Sequence, residues 1–286
     1  MPTFADRFAA DLEALNDLPS PSPVLVKLTS TLGRDDVELR EIEALIVRDP
    51  VIAARVIQAA NAAAFAGHGA TSSIRNALRR LGIERVRRLA LLVGLFNAMP
   101  ARGVPAEFWP HSLATAVCSE VILQHVATSP AAADPDVVFL GALLHDLGLL
   151  VLASHYPKDY QALRETSVRE ARPLIDVEVA VLGIDHATMG AQLAKQWLFP
   201  PSVCAAIRGH HRIGTVEPEH RWNTLVVHLA ESLSSQANIA GMDEGVILVP
   251  DDPGLAELGI SPDALPVMVS EAQLEADRAR NMLDAA

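Results

Sequence analysis

Residues 141–153 read GALLHDLGLLVLA, an apolar stretch interrupted by one histidine and one aspartate. Leucine, alanine and valine around His145-Asp146 are typical of a helix buried in a protein core. Adjacent side chains on a helix project about 100° apart, because one turn takes ~3.6 residues. Both side chains could therefore face one pocket and bind a single metal ion, or a pair of ions bridged by the carboxylate. The dipeptide is the first candidate site, and its surroundings predict a helical fold.

The composition of the chain also favours helices. Half of the 286 residues are hydrophobic and only 4% are aromatic, whereas strands prefer aromatic and β-branched residues. We therefore expect an all-α protein. Apolar runs such as residues 89–96 fall far short of the ~20 residues that a membrane span needs, so no membrane span is expected.

The charge and the cysteines bear on partners and compartment. The formal net charge is −12, and a surface of that sign repels phosphate backbones, which argues against a nucleic-acid partner. Cys118 and Cys204 are the only cysteines and form no CxxC motif. We expect two buried thiols and no disulfide, as in a reducing cytoplasm. Residues 1–14 already carry several charged side chains and do not resemble a signal peptide.

Capping signals divide the chain into helices. Asp49 followed by Pro50 predicts the start of one helix, and Gly82 predicts the end of another. We expect a helical N-terminal subdomain over residues 1–104. A helical bundle over residues 105–286 is expected to follow and to end in an amphipathic helix.

Seven short motifs occur in an order typical of one family. They are LPSPSPVLVKL (18–28), DPVIAARVIQAAN (49–61), an I-x-x-A-x-x-x-L-G-x-x-x-V-x-x-L spacing (74–89), FWPHSLATA (108–116), GALLHDLGLLVL (141–152), IDHATMGAQLAKQW (184–197) and AAIRGHH (205–211). In order and spacing the chain resembles the HDOD family, the HD-related output domains of bacterial signalling proteins. The resemblance implies a helical N-terminal subdomain packed on a degenerate HD-type helical bundle.

The wider HD superfamily contains metal-dependent phosphohydrolases, including cyclic-dinucleotide phosphodiesterases. The resemblance implies metal-ligand positions at His111, His145, Asp146, His186, His210 or His211, and Glu231. Imidazole and carboxylate groups suit Mn, Fe or Zn, and such an ion lowers the pKa of bound water enough to supply hydroxide near neutral pH. Arg208 and Arg212 are the only basic residues close to this set that could hold a phosphate.

Several departures from active phosphodiesterases argue against catalysis. Gly148 is followed by Leu149, where many of those phosphodiesterases have a lysine, and no Gly-Tyr-Pro follows His210-His211. Glu231 stands where those enzymes have aspartate. Its extra methylene would move the carboxylate by about an ångström, which a functional site tolerates badly. We therefore expect a vestigial site, or one that still holds an ion without turnover.

A basic cluster in the first part of the chain supports a different interpretation. Its members are Arg75, Arg79, Arg80, Arg85, Arg87 and Arg88. The helix–LG–helix around them could be a helix-turn-helix that binds DNA. The family pattern instead leaves the arginines facing outward, as a solvated surface or as a docking patch for an acidic partner or a phosphate group. The net charge of −12 argues against duplex DNA.

We expect a non-catalytic signal-transduction or adaptor protein, located in the cytoplasm, that acts through protein–protein contacts in bacterial regulation. It would require no cofactor. The resemblance implies partners among signalling proteins in trans, such as cyclic-di-GMP enzymes or histidine kinases. Two alternatives stay open: a metal-dependent phosphohydrolase of the cyclic-dinucleotide phosphodiesterase type, and a DNA-binding regulator that uses the helices of residues 75–88.

Overall fold

The computed structural model describes residues 3–14, 23–31, 34, 36–61, 71–98, 104–127, 134–239 and 252–284. Within these ranges every regular element is a helix, so the predicted all-α class is confirmed. The chain clusters into two compact units. The larger comprises Met1–Leu18, Ala101–Gln196 and Pro201–Asp277, and the smaller comprises Pro19–Pro100, Trp197–Pro200 and Arg278–Ala286.

The helices fall into these units as follows. The smaller unit contains α2 (Pro23–Thr29), α3 (Leu39–Ile46), α4 (Pro50–Ala60), α5 (Ile74–Leu81) and α6 (Ile83–Ala98). The larger unit contains α1 (Phe4–Ala14), α7 (Phe108–His125), α8 (Pro135–Leu144), α9 (Leu147–His155), α10 (Pro157–Glu170), α11 (Leu174–Leu182), α12 (His186–Gln196), α13 (Pro201–Gly209), α14 (Pro218–Gln236), α15 (Asp252–Glu257) and most of α16 (Leu265–Asp284).

Local capping sets helix ends in the smaller unit. The Asp49 carboxylate accepts hydrogen bonds from the backbone N–H groups of Val51 (3.0 Å) and Ile52 (3.2 Å), and Pro50 is the first residue of α4. Gly82 ends α5 with a φ of +85°, a conformation that residues with a side chain rarely adopt. Both ends lie where the sequence predicts them, because the residues that form them are adjacent to the helices they cap.

The arginines of α5 and α6 do not all face outward, which corrects the expectation for this cluster. Arg87 is only 5% exposed, and its guanidinium donates a hydrogen bond to the carbonyl of Thr31 (3.2 Å). Arg75 is exposed but pairs with Glu43 at 2.9 Å. Arg80 and Arg88 are half-buried, and only Arg79 and Arg85 join Arg75 at the surface. A buried guanidinium is part of the packing of this unit and is inaccessible to a DNA phosphate.

The burial of Arg87 predicts that a substitution at this position destabilises the protein. Arg87→Glu would lose the bond to the Thr31 carbonyl and would place a carboxylate in its buried position. We expect the free energy of unfolding to fall by about 3 kcal/mol or more, measured by urea denaturation. Arg79→Glu, at an exposed position of α5, is the matched control and should change it by less than about 0.5 kcal/mol. Equal effects of the two substitutions would contradict the structural role of Arg87.

In the larger unit, α8 and α14 pack against each other and each packs against α7 and α13, and α9 packs against α12. The expectation that His145-Asp146 lies inside one helix is wrong. Helix α8 ends at Leu144, Asp146 has φ −93° and ψ 17°, and α9 begins at Leu147. The two side chains are therefore not held at the helical angle of about 100°, and α9 follows its own packing on α12.

The most apolar part of the chain forms the core of the larger unit. Pro135–His155, which covers α8 and α9, is 21 residues long, and its most apolar 18-residue window has a mean hydropathy of 2.1, so it is long and apolar enough to cross a membrane. The expectation that every apolar run is too short was wrong for this stretch. Yet 94% of that window is buried inside the protein. It is a core segment covered by other helices.

The N-terminal helix belongs to a different unit from the one that the sequence suggested. Helix α1 clusters with the larger unit, although the sequence suggested one subdomain over residues 1–104. The Phe4 ring packs edge-on against Tyr156 at 5.0 Å, and the Tyr156 hydroxyl donates a hydrogen bond to Asp11. These contacts join residues far apart in the chain, which local patterns do not reveal. Neither Cys118 nor Cys204 forms a disulfide; Cys118 is buried and Cys204 is half-buried.

Candidate metal centre

The seven residues predicted as metal ligands converge in the larger unit. Helix α7 carries His111, the α8–α9 junction carries His145 and Asp146, α12 begins at His186, His210 and His211 follow α13, and α14 carries Glu231. All are buried except His211, which is 12% exposed. Five separate segments thus contribute to one buried polar cluster in an otherwise apolar core.

The ligand atoms form two groups that meet at one carboxylate. The first cluster is His111, His145 and Asp146, and the second cluster is His186, His210 and His211. Within the first cluster, the Nε2 atoms of His111 and His145 are 3.1 Å apart. Within the second, Nε2 of His186 is 3.4 Å from that of His210 and 3.2 Å from that of His211.

Asp146 lies between the two clusters. Its Oδ2 is 3.4 Å from Nε2 of His111 and 3.2 Å from Nε2 of His145. Its Oδ1 is 3.5 Å from Nε2 of His186 and 3.8 Å from Nε2 of His210. Neither oxygen accepts a hydrogen bond of acceptable geometry from the described residues. A fully buried carboxylate that faces imidazoles without such bonds is suited to a cation between them.

Glu231 reaches the second cluster from α14. Its Oε1 lies 3.7 Å from Nε2 of His211, and the residue is buried. The Glu231 carboxylate is therefore within ion-pair distance of a candidate ligand histidine.

Hydrogen bonds at Nδ1 orient three of the rings. His145 donates from Nδ1 to the carbonyl of Ala142 (2.7 Å), and His210 donates to the carbonyl of Ile207 (2.6 Å). A carbonyl oxygen only accepts, so in each neutral ring the proton sits on Nδ1 and the lone pair sits on Nε2. The lone pairs are directed into the cluster, as metal ligands require.

Glu178 orients the third ring, and the sequence analysis missed it. Its Oε2 accepts hydrogen bonds from Nδ1–H of His186 (2.7 Å) and from the backbone N–H of the same residue (2.8 Å). Glu178 lies on α11, four residues from Leu174 and four from Leu182, both of which are buried. A carboxylate at helical spacing among apolar residues was a signal that it is buried and has a polar partner.

Gly148 allows the close approach that places His186. A Cβ at this position would lie 2.0 Å from the carbonyl oxygen of His186, far inside van der Waals contact. The backbones of α9 and α12 therefore touch at the point where a ligand histidine begins α12. Only glycine fits here without moving one of the two helices.

In the metal-free site the pKa of one carboxyl group is lowered, the pKa of one histidine is raised and the pKa values of two other histidines are lowered. Burial opposes ionisation of Asp146, but the facing His145 and His111 hold the pKa of its carboxyl well below 3.8. Burial also opposes the charge on His145, yet Asp146 and Glu231 raise the pKa of His145 to about 9. Burial and neighbouring imidazoles hold the pKa values of His210 and His211 well below 6.5.

These shifts predict a pH optimum for the metal-free protein. The pKa values of His210 and His211 are lowered on folding, so they contribute stability above pH 6.5 that is lost as the pH falls. The pKa of His145 is raised, so its contribution is complete below 6.5 and is lost as the pH rises through about 9. We expect the free energy of unfolding to peak near pH 6.5, with slopes of up to about 1.4 kcal/mol per pH unit per histidine.

Urea denaturation in excess chelator from pH 5 to 9 measures this profile. His145→Gln should flatten the alkaline side and reduce the slope of the acid side, because His145 also contributes to the lowered pKa values of His210 and His211. A profile that is flat across the range would contradict the predicted shifts.

Two arginines flank the most exposed ligand. Arg208 pairs with Glu217 at 3.0 Å, and Arg212 pairs with Asp176 at 3.2 Å. They are the basic residues that the sequence indicated as phosphate-binding candidates near His211. Because each already has a carboxylate partner, a phosphate would have to compete with that carboxylate for the guanidinium.

Comparison with known families identifies the chain. The HDOD domain profile matches residues 18–213. The chain belongs to the HDOD family. The matched region contains the candidate ligands from His111 to His211, and Glu231 lies beyond its end.

Solved structures share the HDOD fold. A protein named "Putative signal transduction protein" from Marinobacter aquaeolei VT8 superposes with a TM-score of 0.78 at 20% identity, over 99% of this chain and 65% of the other. A protein named "Putative phosphohydrolase" from Shewanella amazonensis SB2B superposes with a TM-score of 0.72 at 21% identity, over 98% of each chain. At these identities the similarity shows a common fold.

A curated relative extends beyond the region shared with this chain. It comes from Treponema pallidum (strain Nichols), is named "Uncharacterized protein" and is 24% identical over 221 residues. The match covers 77% of this HDOD chain and 42% of the relative. This chain therefore spans less than half of the relative's length.

Proposed function

We propose that this HDOD protein holds one or two divalent transition-metal ions in the two clusters and acts as a signalling module without turnover. The observation that carries the proposal is the buried carboxylate of Asp146, which faces histidines of both clusters at 3.2–3.8 Å. Such a set attracts a cation.

The residues present fit a metal ion. Two ligands that each lie ~2.1 Å from one tetrahedral ion are separated by roughly 3.4 Å. The Nε2–Nε2 distances of 3.1, 3.2 and 3.4 Å are close to this value. Imidazole with carboxylate suits Mn, Fe or Zn. An ion bound here would lower the pKa of a coordinated water, as it does in metal-dependent hydrolases.

Three observations support a site without turnover. Catalytic metal sites keep a position open to substrate, whereas the most exposed ligand here, His211, is only 12% exposed. Both arginines near it are paired with carboxylates. Leu149, at the position where many active phosphodiesterases of the HD superfamily have a lysine, is buried in the core and offers no donor to a phosphate.

The proposed role is therefore that of an adaptor in the cytoplasm that contacts signalling proteins in trans. Cyclic-di-GMP enzymes and histidine kinases are the partner classes that the HDOD resemblance suggests. The net charge of −12 favours protein partners over nucleic acid. The burial of Arg87 also argues against the hypothesis that α5 and α6 bind DNA.

A metal-dependent phosphohydrolase is the second candidate function, and the convergence of all seven ligands favours it. One pair of measurements separates the two functions. Elemental analysis of protein purified without chelators gives the number of ions per chain, and hydrolysis of bis(p-nitrophenyl) phosphate with added Mn²⁺ gives turnover.

We expect bound metal and a hydrolysis rate equal to that of Mn²⁺ in buffer. Turnover that is lost in His111→Ala would establish the phosphohydrolase and overturn the non-catalytic proposal. Protein without any bound ion, even after incubation with Mn²⁺ or Zn²⁺, would overturn the metal site.

A further inference from the structure

The histidines of the second cluster are held in the geometry that a metal ion needs. His186 donates from Nδ1 to the buried carboxylate of Glu178 (2.7 Å), which also accepts from the backbone N–H of His186 (2.8 Å). His210 donates from Nδ1 to the Ile207 carbonyl (2.6 Å). A carboxylate partner at Nδ1 fixes the tautomer and makes the ring a more basic ligand. Two of the three rings are thus set before an ion arrives.

In the first cluster, only one of the two histidine rings is held in the tautomer that binds a metal ion through Nε2. His145 donates to the Ala142 carbonyl (2.7 Å). The Nδ1 of His111, however, is buried and has no hydrogen-bond partner among the described residues. To bind an ion through Nε2, the neutral ring of His111 must carry its proton on Nδ1. A buried N–H without an acceptor is unfavourable, so the binding tautomer of His111 is disfavoured.

For His211, the third ring of the second cluster, the metal-binding tautomer is not disfavoured in this way. It is the most exposed of the ligands, at 12%. A partly exposed ring nitrogen can donate to water, which satisfies the proton on Nδ1. The difference between the clusters is therefore greatest between His186, which has a carboxylate partner, and His111, which has none at Nδ1.

We infer that the second cluster takes up the first and more tightly bound ion, and that Glu178 is the positioning residue responsible. The inference rests on the proposed metal-binding function. It assigns an order of loading to the two clusters, and it gives a role in metal affinity to a residue that is not itself one of the seven ligands. An ion in the first cluster would then be the weaker and more exchangeable one.

The tautomer of His186 tests the role of Glu178 without any metal. Long-range ¹H–¹⁵N NMR of the metal-free protein distinguishes a protonated from an unprotonated ring nitrogen. We expect His186 to be protonated on Nδ1 in the wild type and to populate both tautomers in Glu178→Ala. A His186 ring protonated only on Nε2 in the wild type would overturn the inference.

A titration with Zn²⁺ against a chromophoric chelator tests the order of loading. Glu178→Gln should weaken the tighter binding step by about 10–100-fold, the usual effect of losing an outer partner of a ligand histidine. His111→Ala should leave the tighter step unchanged and remove any weaker one. Glu165→Gln, an exposed glutamate of α10, is the matched control and should behave as the wild type.

The outcomes separate this inference from the proposed function. If the wild type binds Zn²⁺ and Glu178→Gln keeps the wild-type affinity, the inference is overturned and the metal site stands. If His111→Ala loses the tighter step, the order of loading is reversed. This result comes from the His111 variant, so a folding defect in the Glu178 variants does not affect it. If the wild type binds no Zn²⁺, both fail.

Discussion

Asp146→Asn is expected to empty the metal centre. The carboxylate faces Nε2 atoms of both clusters, and it is the group through which they meet. Asparagine keeps the shape but removes the negative charge from a fully buried position. The affinity for Zn²⁺ should fall by more than the roughly 10–100-fold that follows loss of an outer-shell partner. Elemental analysis after dialysis should find close to no ion per chain.

Asp136→Asn is the matched control for this substitution. Asp136 is also buried, in the first turn of α8. It lies nine residues before His145, about 13 Å along the helix. Its replacement should leave the metal content at the wild-type value, and circular dichroism should show both variants folded. A folded Asp146→Asn protein with the wild-type metal content would place the ion elsewhere in the chain.

The second large effect is expected from Gly148→Ala. The added Cβ would meet the His186 carbonyl oxygen at 2.0 Å, and a backbone atom cannot rotate away as a side chain can. Helix α9 or α12 must then move. Overpacking of this kind destabilises by about 3 kcal/mol, which corresponds to a Tm decrease of about 6–12 °C for a unit of this size. Because His186 begins α12, the metal affinity should fall as well.

Gly214→Ala provides the comparison within the same unit. A Cβ at Gly214 would meet no atom within 4 Å, and its φ is not in the left-handed region. Its Tm should stay within about 2 °C of the wild type. Differential scanning calorimetry with and without Zn²⁺ measures both effects. A Gly148→Ala protein with the wild-type Tm would show that the α9–α12 contact has room that the structure does not show.

Much of the fold was predictable because its causes are local. The scarcity of aromatic residues indicated helices, and Asp49 and Gly82 marked helix ends through contacts within a few residues. The candidate ligands could also be picked out, since His111 and the later histidines occur at the spacing of a known family. These inferences needed only neighbouring residues or a pattern along the chain.

Other features depend on contacts between distant segments. Arg87 lies 56 residues from Thr31, whose carbonyl it contacts, and no local pattern distinguishes it from the exposed arginines of the same helices. The position of α1 in the larger unit rests on Tyr156, more than 140 residues away. The sequence analysis treated all six arginines as one surface for this reason.

By itself the sequence determined that the chain is helical, where several helices end and which residues carry imidazole and carboxylate groups. Only the tertiary structure decided that those groups meet, that Asp146 stands between two clusters and that Glu178 holds His186. The physical reason is that helix formation depends on hydrogen bonds four residues apart. Whether the side chains of the candidate site converge depends instead on how closely the helices pack. Gly148 has no Cβ and so allows α9 to approach the His186 carbonyl, but this contact forms only when α12 is packed beside it.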